Sequence, residues 1–156
     1  MTNKLNVIVV GLGHQSQEDH LPAIQEVRSL KLVGVVDTNV SVAKEIGEKY
    51  NVPYDISISN LLEKIDRPTL AIVALPHNEY LPVIEILAKE KIHIIKEKPF
   101  AVSMTEADKF FNLSKDYGVS IQVTLQRRFN PIFKTFCQLI RRVGNVHSVE
   151  AIDPTL

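Results

Sequence analysis

A pair of glycines and one acidic residue give the sequence its clearest potential for chemistry. Gly11 and Gly13 follow the apolar run Leu5–Val10, and Asp37 ends a second apolar run over residues 32–36. The order of strand, glycine turn, helix, strand and acid is typical of a dinucleotide-binding βαβ unit. The first glycine would allow a tight turn, and the second would let backbone N–H groups approach a pyrophosphate at a helix N-terminus. The carboxylate would accept hydrogen bonds from the adenosine ribose hydroxyls.

The third position of this glycine pattern is occupied by Ser16 rather than by glycine. Serine is small, so close packing of the helix on the strand is still expected. A glycine pair alone also fits a plain βα turn that binds no ligand, but the preceding strand and the distance to the acid favour a nucleotide site. With His14 contributing only its backbone, we expect the loop to contact a cofactor through Gly11, Leu12, Gly13, His14 and Gln15.

The composition is that of an ordinary globular domain. The chain has 156 residues, of which 45% are hydrophobic and 23% charged, enough for one well-buried domain with little left for a second. Its 18 basic and 18 acidic residues cancel, so nothing indicates binding to nucleic acid or to an anionic membrane.

Other features of the composition exclude further classes of site. The single cysteine, Cys137, excludes an internal disulfide and a cysteine-based zinc cluster, and it falls in an apolar helical pattern in which we expect it to be buried. The histidines are scattered without metal-ligand spacing. No apolar run approaches the roughly 20 residues that span a bilayer, and no signal-peptide pattern is seen, so a cytoplasmic location is expected.

Strand and helix patterns alternate six times over about the first 125 residues, which predicts an α/β fold with a doubly wound parallel sheet, the Rossmann fold. Residues 70–75 are continuously apolar, as in a strand buried on both faces, whereas residues 119–125 alternate, as at a sheet edge. The predicted strands cover residues 5–10, 32–36, 54–55, 70–75, 92–95 and 119–125. The predicted helices after the first cover residues 38 or 39 to 50, 59 or 60 to 65, 80–89, 103–117 and 130–143.

Two local signals mark the helix predicted over residues 103–117. Ser103 and Glu106 form a capping box at its start, and Gly118 is expected to end it. Its buried side is expected to carry Ala107, Phe110, Phe111 and Tyr117.

The last thirty or so residues differ from the rest. They predict one helix, 130–143, with a broad apolar face, and one strand, 146–152. A lone helix and strand cannot form a core of their own. We therefore expect a nucleotide-binding domain over residues 1–125 and, as a short C-terminal helix–strand extension, the start of a second α/β domain over residues 126–156. The apolar helix face also predicts self-association into a homo-oligomer.

Several of these stretches resemble the N-terminal half of the Gfo/Idh/MocA oxidoreductases, the family of glucose–fructose oxidoreductase and inositol dehydrogenase. Their order and spacing fit over nearly the whole chain, and the Glu-Lys-Pro motif after the fifth predicted strand is far more specific than the glycine loop. The matching motifs are Gly11-Leu12-Gly13, His20-Leu21-Pro22-Ala23-Ile24, Val35-Val36-Asp37, Ala74-Leu75-Pro76, Glu97-Lys98-Pro99 and Arg127-Arg128-Phe129-Asn130-Pro131.

The resemblance implies that Lys98 lies beside the nicotinamide and assists catalysis, and that Glu97 helps to hold the cofactor. Their position agrees with this role, because ligands of open α/β sheets bind beyond the carboxyl ends of the strands. A lysine there can donate hydrogen bonds to a substrate oxygen and take part in proton transfer. From the residues alone, the alternative is a solvated charged surface formed by Lys89, Glu90, Lys91, Lys96, Glu97 and Lys98.

The resemblance also implies that Leu75, Pro76 and His77 line the nicotinamide end of the site. A histidine in such a loop is more often exposed than catalytic. The chain departs from the family at Tyr80, where the family usually has a histidine, so this part of the pocket is expected to differ.

Cofactor preference follows from the acid after the second strand. Asp37 has no arginine in the next few positions, which favours NAD over NADP because a carboxylate would repel a 2′-phosphate. Lys44 lies a little farther on and could soften the preference. Arg127 and Arg128 fit either contact with a cofactor or substrate anion or a surface arginine pair.

For the full-length parent, the resemblance implies an oxidoreductase that transfers hydride between NAD and a small sugar or polyol. The family's second domain supplies the substrate pocket, and this chain ends at Leu156, where the sheet of that domain would begin. Two alternatives remain: a nucleotide-binding module without turnover, and an interaction protein that keeps only the fold.

Overall fold

A computed structural model of the chain describes residues 4–148 and 150. Contacts between Cα atoms divide the chain into two compact units, with the boundary between Thr124 and Leu125. The first unit contains the sheet and its covering helices. The second contains a single α-helix and short turns among its described residues.

The first unit is built on a six-stranded parallel sheet in the described part of the chain. The strand order is β3-β2-β1-β4-β5-β6, so the chain starts in the middle, winds to one edge and then returns to fill the other side. This arrangement confirms the predicted doubly wound fold. The strands are β1 (Leu5–Val10), β2 (Leu30–Val36), β3 (Tyr54–Asp55), β4 (Leu70–Val73), β5 (His93–Lys96) and β6 (Ile121–Val123).

Side-chain caps fix where two of the helices begin. The Asn39 side chain accepts hydrogen bonds from the N–H groups of Ser41 and Val42, and the Ser103 hydroxyl accepts one from the N–H of Glu106. A π-helical turn, Ser16–His20, leads directly into the first helix. The helices of this unit are α1 (Leu21–Glu26), α2 (Val40–Tyr50), α3 (Ile58–Leu62), α4 (Tyr80–Lys89) and α5 (Met104–Tyr117).

The sheet has a hydrophobic core on each face. Along β1, Ile8 and Val10 pack on one side with α3, α4 and α5, whereas Val7 and Val9 pack on the other with α1 and α2. Successive side chains of a strand point to opposite faces, so a strand that is apolar throughout is buried on both. This two-sided burial holds β1 at the centre of the sheet.

Some predicted bounds and one predicted core residue differ from the structure. The third helix begins earlier and ends earlier than expected, at Ile58 and Leu62. The strand predicted over residues 70–75 ends at Val73, and the one predicted over 119–125 is reduced to Ile121–Val123 at the sheet edge.

The prediction that Phe111 is buried is wrong, because 57% of its surface is exposed. Adjacent residues of a helix point about 100° apart, and α5 packs through a narrow stripe that Phe110 occupies.

The second unit contains α6 (Pro131–Leu139), followed by a 3₁₀ turn, Ile140–Arg142. The Asn130 side chain accepts a hydrogen bond from the N–H of Ile132 and so caps α6. The expectation that Cys137 is buried is wrong, because this residue lies exposed on α6. The strand predicted over residues 146–152 falls partly outside the described residues, and 146–148 and 150 form no strand. Over residues 4–148 and 150, no helix combines the length and apolarity needed to cross a membrane.

The turn after β1 depends on a glycine at position 11. Gly11 has a φ of +83°, and a Cβ placed on it would lie 2.1 Å from the carbonyl oxygen of Ala74. An L-amino acid with a side chain is strained at this φ, and here it would also collide with backbone that cannot move aside.

Substituting Gly11→Ala is therefore expected to reduce the free energy of unfolding by about 3 kcal/mol or more. Gly118→Ala is the matched control, because Gly118 also has a positive φ, +67°, but no atom lies within 4 Å of its added Cβ. It should cost only about 1 kcal/mol. Urea unfolding followed by circular dichroism measures both variants, and equal losses would contradict the steric account.

Candidate functional site

Two adjoining cavities lie at the carboxyl ends of the central strands, and both are formed within the first unit. The larger has a volume of about 680 Å³ and the smaller about 290 Å³. Both are lined by Gly13, Ala74, Leu75 and Pro76. The larger continues to Gly11 and Asp37, with Ile56, Ile58, Val83 and Ile86 as apolar walls. The smaller continues to His14, Gln15, His77, Glu97 and Lys98.

The glycine loop opens its backbone to both cavities. No atom lies within 4 Å of a Cβ built on Gly13, so this residue faces open space. Within the described residues, the N–H groups of Gly13, His14 and Gln15 make no hydrogen bond, whereas those of Ser16 and Gln17 donate to the Gly13 carbonyl oxygen at 3.1 and 3.2 Å. Free N–H groups at the start of a helix bind anions. The loop therefore has the form of a phosphate cradle.

Ser16 holds the glycine loop through a buried hydrogen bond. This residue is fully buried, and its hydroxyl donates a 2.6 Å hydrogen bond to the carbonyl oxygen of Gly11. Serine at the third position thus preserves the close packing expected there and adds a hydrogen bond that glycine could not make. The predicted contact residue Leu12 differs from its neighbours, because its side chain is buried in the core.

Asp37 joins the glycine loop to the end of β2. Its Oδ2 accepts a 2.7 Å hydrogen bond from the N–H of Leu12, and its Oδ1 accepts one of 2.8 Å from the N–H of Asn39. Each carboxylate oxygen has a second lone pair, so the group can still accept hydrogen bonds from a ligand. The carboxylate therefore both orients the loop and lines the larger cavity.

Tyr80 holds the loop after β4 without entering either cavity. Its side chain is buried, and its hydroxyl accepts a 3.2 Å hydrogen bond from the N–H of Leu75. Burial raises the pKa of Tyr80, so the phenol stays protonated at neutral pH. Tyr80 thus supports the loop that carries Leu75 and is not among the residues that line either cavity.

Glu97 is buried and lines the smaller cavity. Its Oε1 lies 3.0 Å from Nε2 of His20, and its Oε2 accepts a 3.3 Å hydrogen bond from the N–H of Lys98. Oε1 of Glu97 and Nε2 of His20 are buried and make no hydrogen bond in the part of the chain described. The sequence motif that contains His20 was recognised, but nothing in it indicated this contact, because the two residues are 77 positions apart.

Lys98 is exposed and lines the smaller cavity, whereas Lys96, two residues earlier, is buried. Burial lowers the pKa of Lys96, an effect that the carboxylates of Glu106 and Glu97 partly offset. With Lys96 and Glu97 both buried, these residues do not form the solvated charged surface that the sequence left open as an alternative. Among the described residues that line this cavity, Lys98 is the lysine.

Arg127 and Arg128 belong to the second unit, in a 3₁₀ turn, Gln126–Phe129. Among residues 4–148 and 150, no group of three or more histidine, cysteine, aspartate or glutamate side chains is arranged to hold a metal ion.

Comparisons with known proteins agree with this geometry. The model of the family described as "Oxidoreductase family, NAD-binding Rossmann fold" (GFO_IDH_MocA) matches residues 5–125. The chain is 27% identical over 145 residues to YceM, a provisionally assigned oxidoreductase of Salmonella typhimurium, covering 93% of this chain and 45% of YceM. It is also 27% identical over 151 residues to glucose-6-phosphate 3-dehydrogenase of Bacillus subtilis, covering 91% of this chain and 40% of that enzyme.

A solved structure gives the same result at the level of the fold. A provisionally assigned NADPH-dependent oxidoreductase from Desulfitobacterium hafniense superposes with a TM-score of 0.85 at 25% identity, covering 94% of this chain and 42% of that one. The chain thus spans less than half the length of these relatives. The family match over residues 5–125, together with the glycine loop and the parallel sheet, shows that the chain belongs to the Gfo/Idh/MocA oxidoreductases and carries their NAD(P)-binding Rossmann domain.

Proposed function

We propose that this chain is the cofactor-binding part of an oxidoreductase that transfers hydride between NAD and a sugar or polyol. The observation that carries the proposal is the row of functional groups along the carboxyl edge of the sheet. Asp37 lines the larger cavity, Gly13 lies where the two cavities meet, and Glu97 and Lys98 line the smaller one. This order matches the ribose, pyrophosphate and nicotinamide of an extended dinucleotide.

The residues present fit a dinucleotide. The open space at Gly13 and the free N–H groups of residues 13–15 would hold the pyrophosphate. The apolar walls of the larger cavity, which include Ile56 and Ile86, suit an adenine ring. Gly11, Leu12, Leu75, Pro76 and His77 would complete the contacts, with Leu12 acting through its backbone.

The bound nicotinamide would supply the hydride chemistry, and the protein would supply position and proton transfer. Lys98 would donate a hydrogen bond to the substrate oxygen and stabilise the charge that develops on it as the C–H bond breaks. Glu97 holds the backbone N–H of Lys98 and borders the same cavity. Its buried carboxylate would therefore orient both the loop and the cofactor.

The substrate class is proposed from a relative. Glucose-6-phosphate 3-dehydrogenase of Bacillus subtilis acts on a sugar according to its name, and this chain matches 40% of it. We propose that a sugar or polyol substrate is bound mainly by a second domain, which corresponds to the part of the relative that this chain does not match. Residues 126–156 would form the first elements of that domain.

The first test is binding of NAD to the Gly13→Ala variant. The added methyl group would occupy the open space above the loop, so the NAD affinity should fall at least about tenfold, while the free energy of unfolding should change by less than about 1 kcal/mol because no neighbour is displaced. Isothermal titration calorimetry measures the affinity, with Gly118→Ala as a control for glycine replacement away from the site. Unchanged NAD affinity in a folded Gly13→Ala variant would contradict the proposed pyrophosphate position.

Cofactor preference is tested at Asp37. The proposal favours NAD, although the relative from Desulfitobacterium hafniense is described as NADPH-dependent. Asp37→Asn removes the charge and leaves one oxygen for the N–H groups of Leu12 and Asn39, a loss of loop order that affects both cofactors alike. The ratio of NADP to NAD dissociation constants reports the charge and should fall about tenfold. Asp66→Asn makes the same charge change at an exposed position before β4, where the amino ends of the strands lie. This control should leave the ratio unchanged. An equal ratio in wild type and Asp37→Asn would overturn the assignment of Asp37.

We also propose that the second unit mediates association between copies of the chain. Ile132, Phe133, Phe136 and Leu139 of α6 are exposed apolar side chains, and contiguous apolar surface of this kind marks contact sites.

Light scattering coupled to size-exclusion chromatography should therefore show dimers or larger species that become monomeric in Phe133→Glu. Phe111→Glu, an exposed phenylalanine of the first unit, is the matched control and should leave the assembly unchanged. A monomeric wild type at high concentration would contradict the proposal.

A further inference from the structure

We propose that Lys96 is a positioning residue, whose buried ammonium holds the backbone on both sides of Lys98. The proposal rests on the proposed function, because it assumes that the location of Lys98 matters for the cofactor and substrate. It assigns a role to a residue that the sequence analysis named only within the alternative of a solvated charged surface.

Lys96 is the last residue of β5, and only 1% of its surface is exposed. Its ammonium lies 3.7 Å from the centroid of the Tyr80 ring on α4 and 5.9 Å from that of Phe110 on α5. The faces of aromatic rings attract cations, and the attraction is stronger where water is excluded. The two rings therefore confine the ammonium between the sheet and the helices.

The confined ammonium donates two hydrogen bonds to the loop that follows β5. One goes to the carbonyl oxygen of Glu97, at 2.9 Å, and the other to the carbonyl oxygen of Pro99. These carbonyls belong to the residues immediately before and after Lys98. A single buried group thus ties both flanks of the proposed catalytic lysine to the core.

Few other hydrogen bonds fix this loop. The start of the loop is held by bonds from Glu97 N–H to Val73 O, at 3.0 Å, and from Thr124 N–H to Lys96 O, at 2.8 Å. Over residues 98–101, the described backbone N–H groups donate one bond, from Lys98 to Oε2 of Glu97. The exposed Lys98 side chain has no hydrogen bond or ion pair within the described residues, so its place in the cavity follows from its backbone.

The role of Lys96 is separable from stability. A buried ammonium loses its hydration, which is why burial lowers the pKa of Lys96. Lys96→Met removes this desolvation cost, but it leaves the carbonyl oxygens of Glu97 and Pro99 without their donor and the buried Glu97 carboxylate without a nearby cation. The variant should therefore fold with reduced stability, and comparison of the Lys98 amide with strands β1 and β4 separates the local effect from the general one.

The experiment compares Lys96→Met with wild type by hydrogen–deuterium exchange and by ligand titration. The matched control is Lys89→Met, which removes an exposed lysine at the end of α4. We expect exchange at the Lys98 amide, which donates to Oε2 of Glu97, to rise at least about tenfold in Lys96→Met and to be unchanged in Lys89→Met. Strands β1 and β4 should keep their protection in both variants.

Titration separates the two ends of the cofactor. The NAD affinity of Lys96→Met should fall several-fold, whereas the affinity for ADP-ribose, which lacks the nicotinamide, should change by less than about twofold. Equal weakening of both ligands, or weakening of neither, would overturn the proposal. If wild type binds neither ligand, the proposed function fails, and the exchange data still decide whether Lys96 positions the loop.

Two results of the exchange experiment would also overturn the proposal. One is unchanged exchange at the Lys98 amide in a folded Lys96→Met variant. The other is a uniform loss of protection over the whole sheet, which would make Lys96 a residue of general stability. If Lys96→Met does not fold, Lys96→Gln is measured in the same way, and failure of that variant to fold also counts against a positioning role.

Discussion

The close contact between Gly11 and the carbonyl oxygen of Ala74 is the constraint on which the site depends. It brings together the ends of β1 and β4, the neighbouring strands between which the chain order of the sheet reverses. Because Gly11 has no side chain, the end of β1 can pass close to Ala74, and the loop that follows can turn over the strand ends. Asp37 and Ser16 then lock this loop from two sides through hydrogen bonds to Leu12 N–H and Gly11 O. The cradle proposed for the pyrophosphate is therefore a consequence of how three strands end.

The loop after β5, at the other end of the site, is held by a different kind of interaction. There the backbone after β5 is held by buried charged side chains, Lys96 and Glu97, rather than by a tight glycine turn. Lys96 is confined by aromatic rings, and Glu97 lies beside His20 at the end of the π-helical turn. Buried charges cost free energy but help to specify geometry through the hydrogen bonds that they make, here those of the Lys96 ammonium and of Oε2 of Glu97. Such an arrangement gives one exposed lysine, Lys98, a defined position in the smaller cavity.

Patterns local in the sequence predicted the fold well. Continuous apolar runs identified the central strands. The two candidate caps, Thr38 and Asn39, and the box at Ser103 marked helix starts, and the structure selects Asn39 of the two caps. Each of these signals depends on residues a few positions apart. The site was predicted less completely, since its buried charges depend on contacts between distant elements. One local signal was available: Lys96 continues the alternation of Ile92 and Ile94, both buried, and so belongs to the core side of β5. The contact between His20 and Glu97 has no such signal.

The proposed dinucleotide lies along the carboxyl ends of the strands, from the end of β2 to the loop after β5. The most direct test is to follow the backbone amides of the ¹⁵N-labelled chain by NMR during titration with NAD. We expect saturable chemical-shift changes at Gly13, His14, Gln15 and Lys98 and at Thr38, next to Asp37. Little change is expected near Asp66, at the amino ends of the strands. Saturable changes confined to the region near Asp66, or no changes at all, would contradict this placement of the dinucleotide.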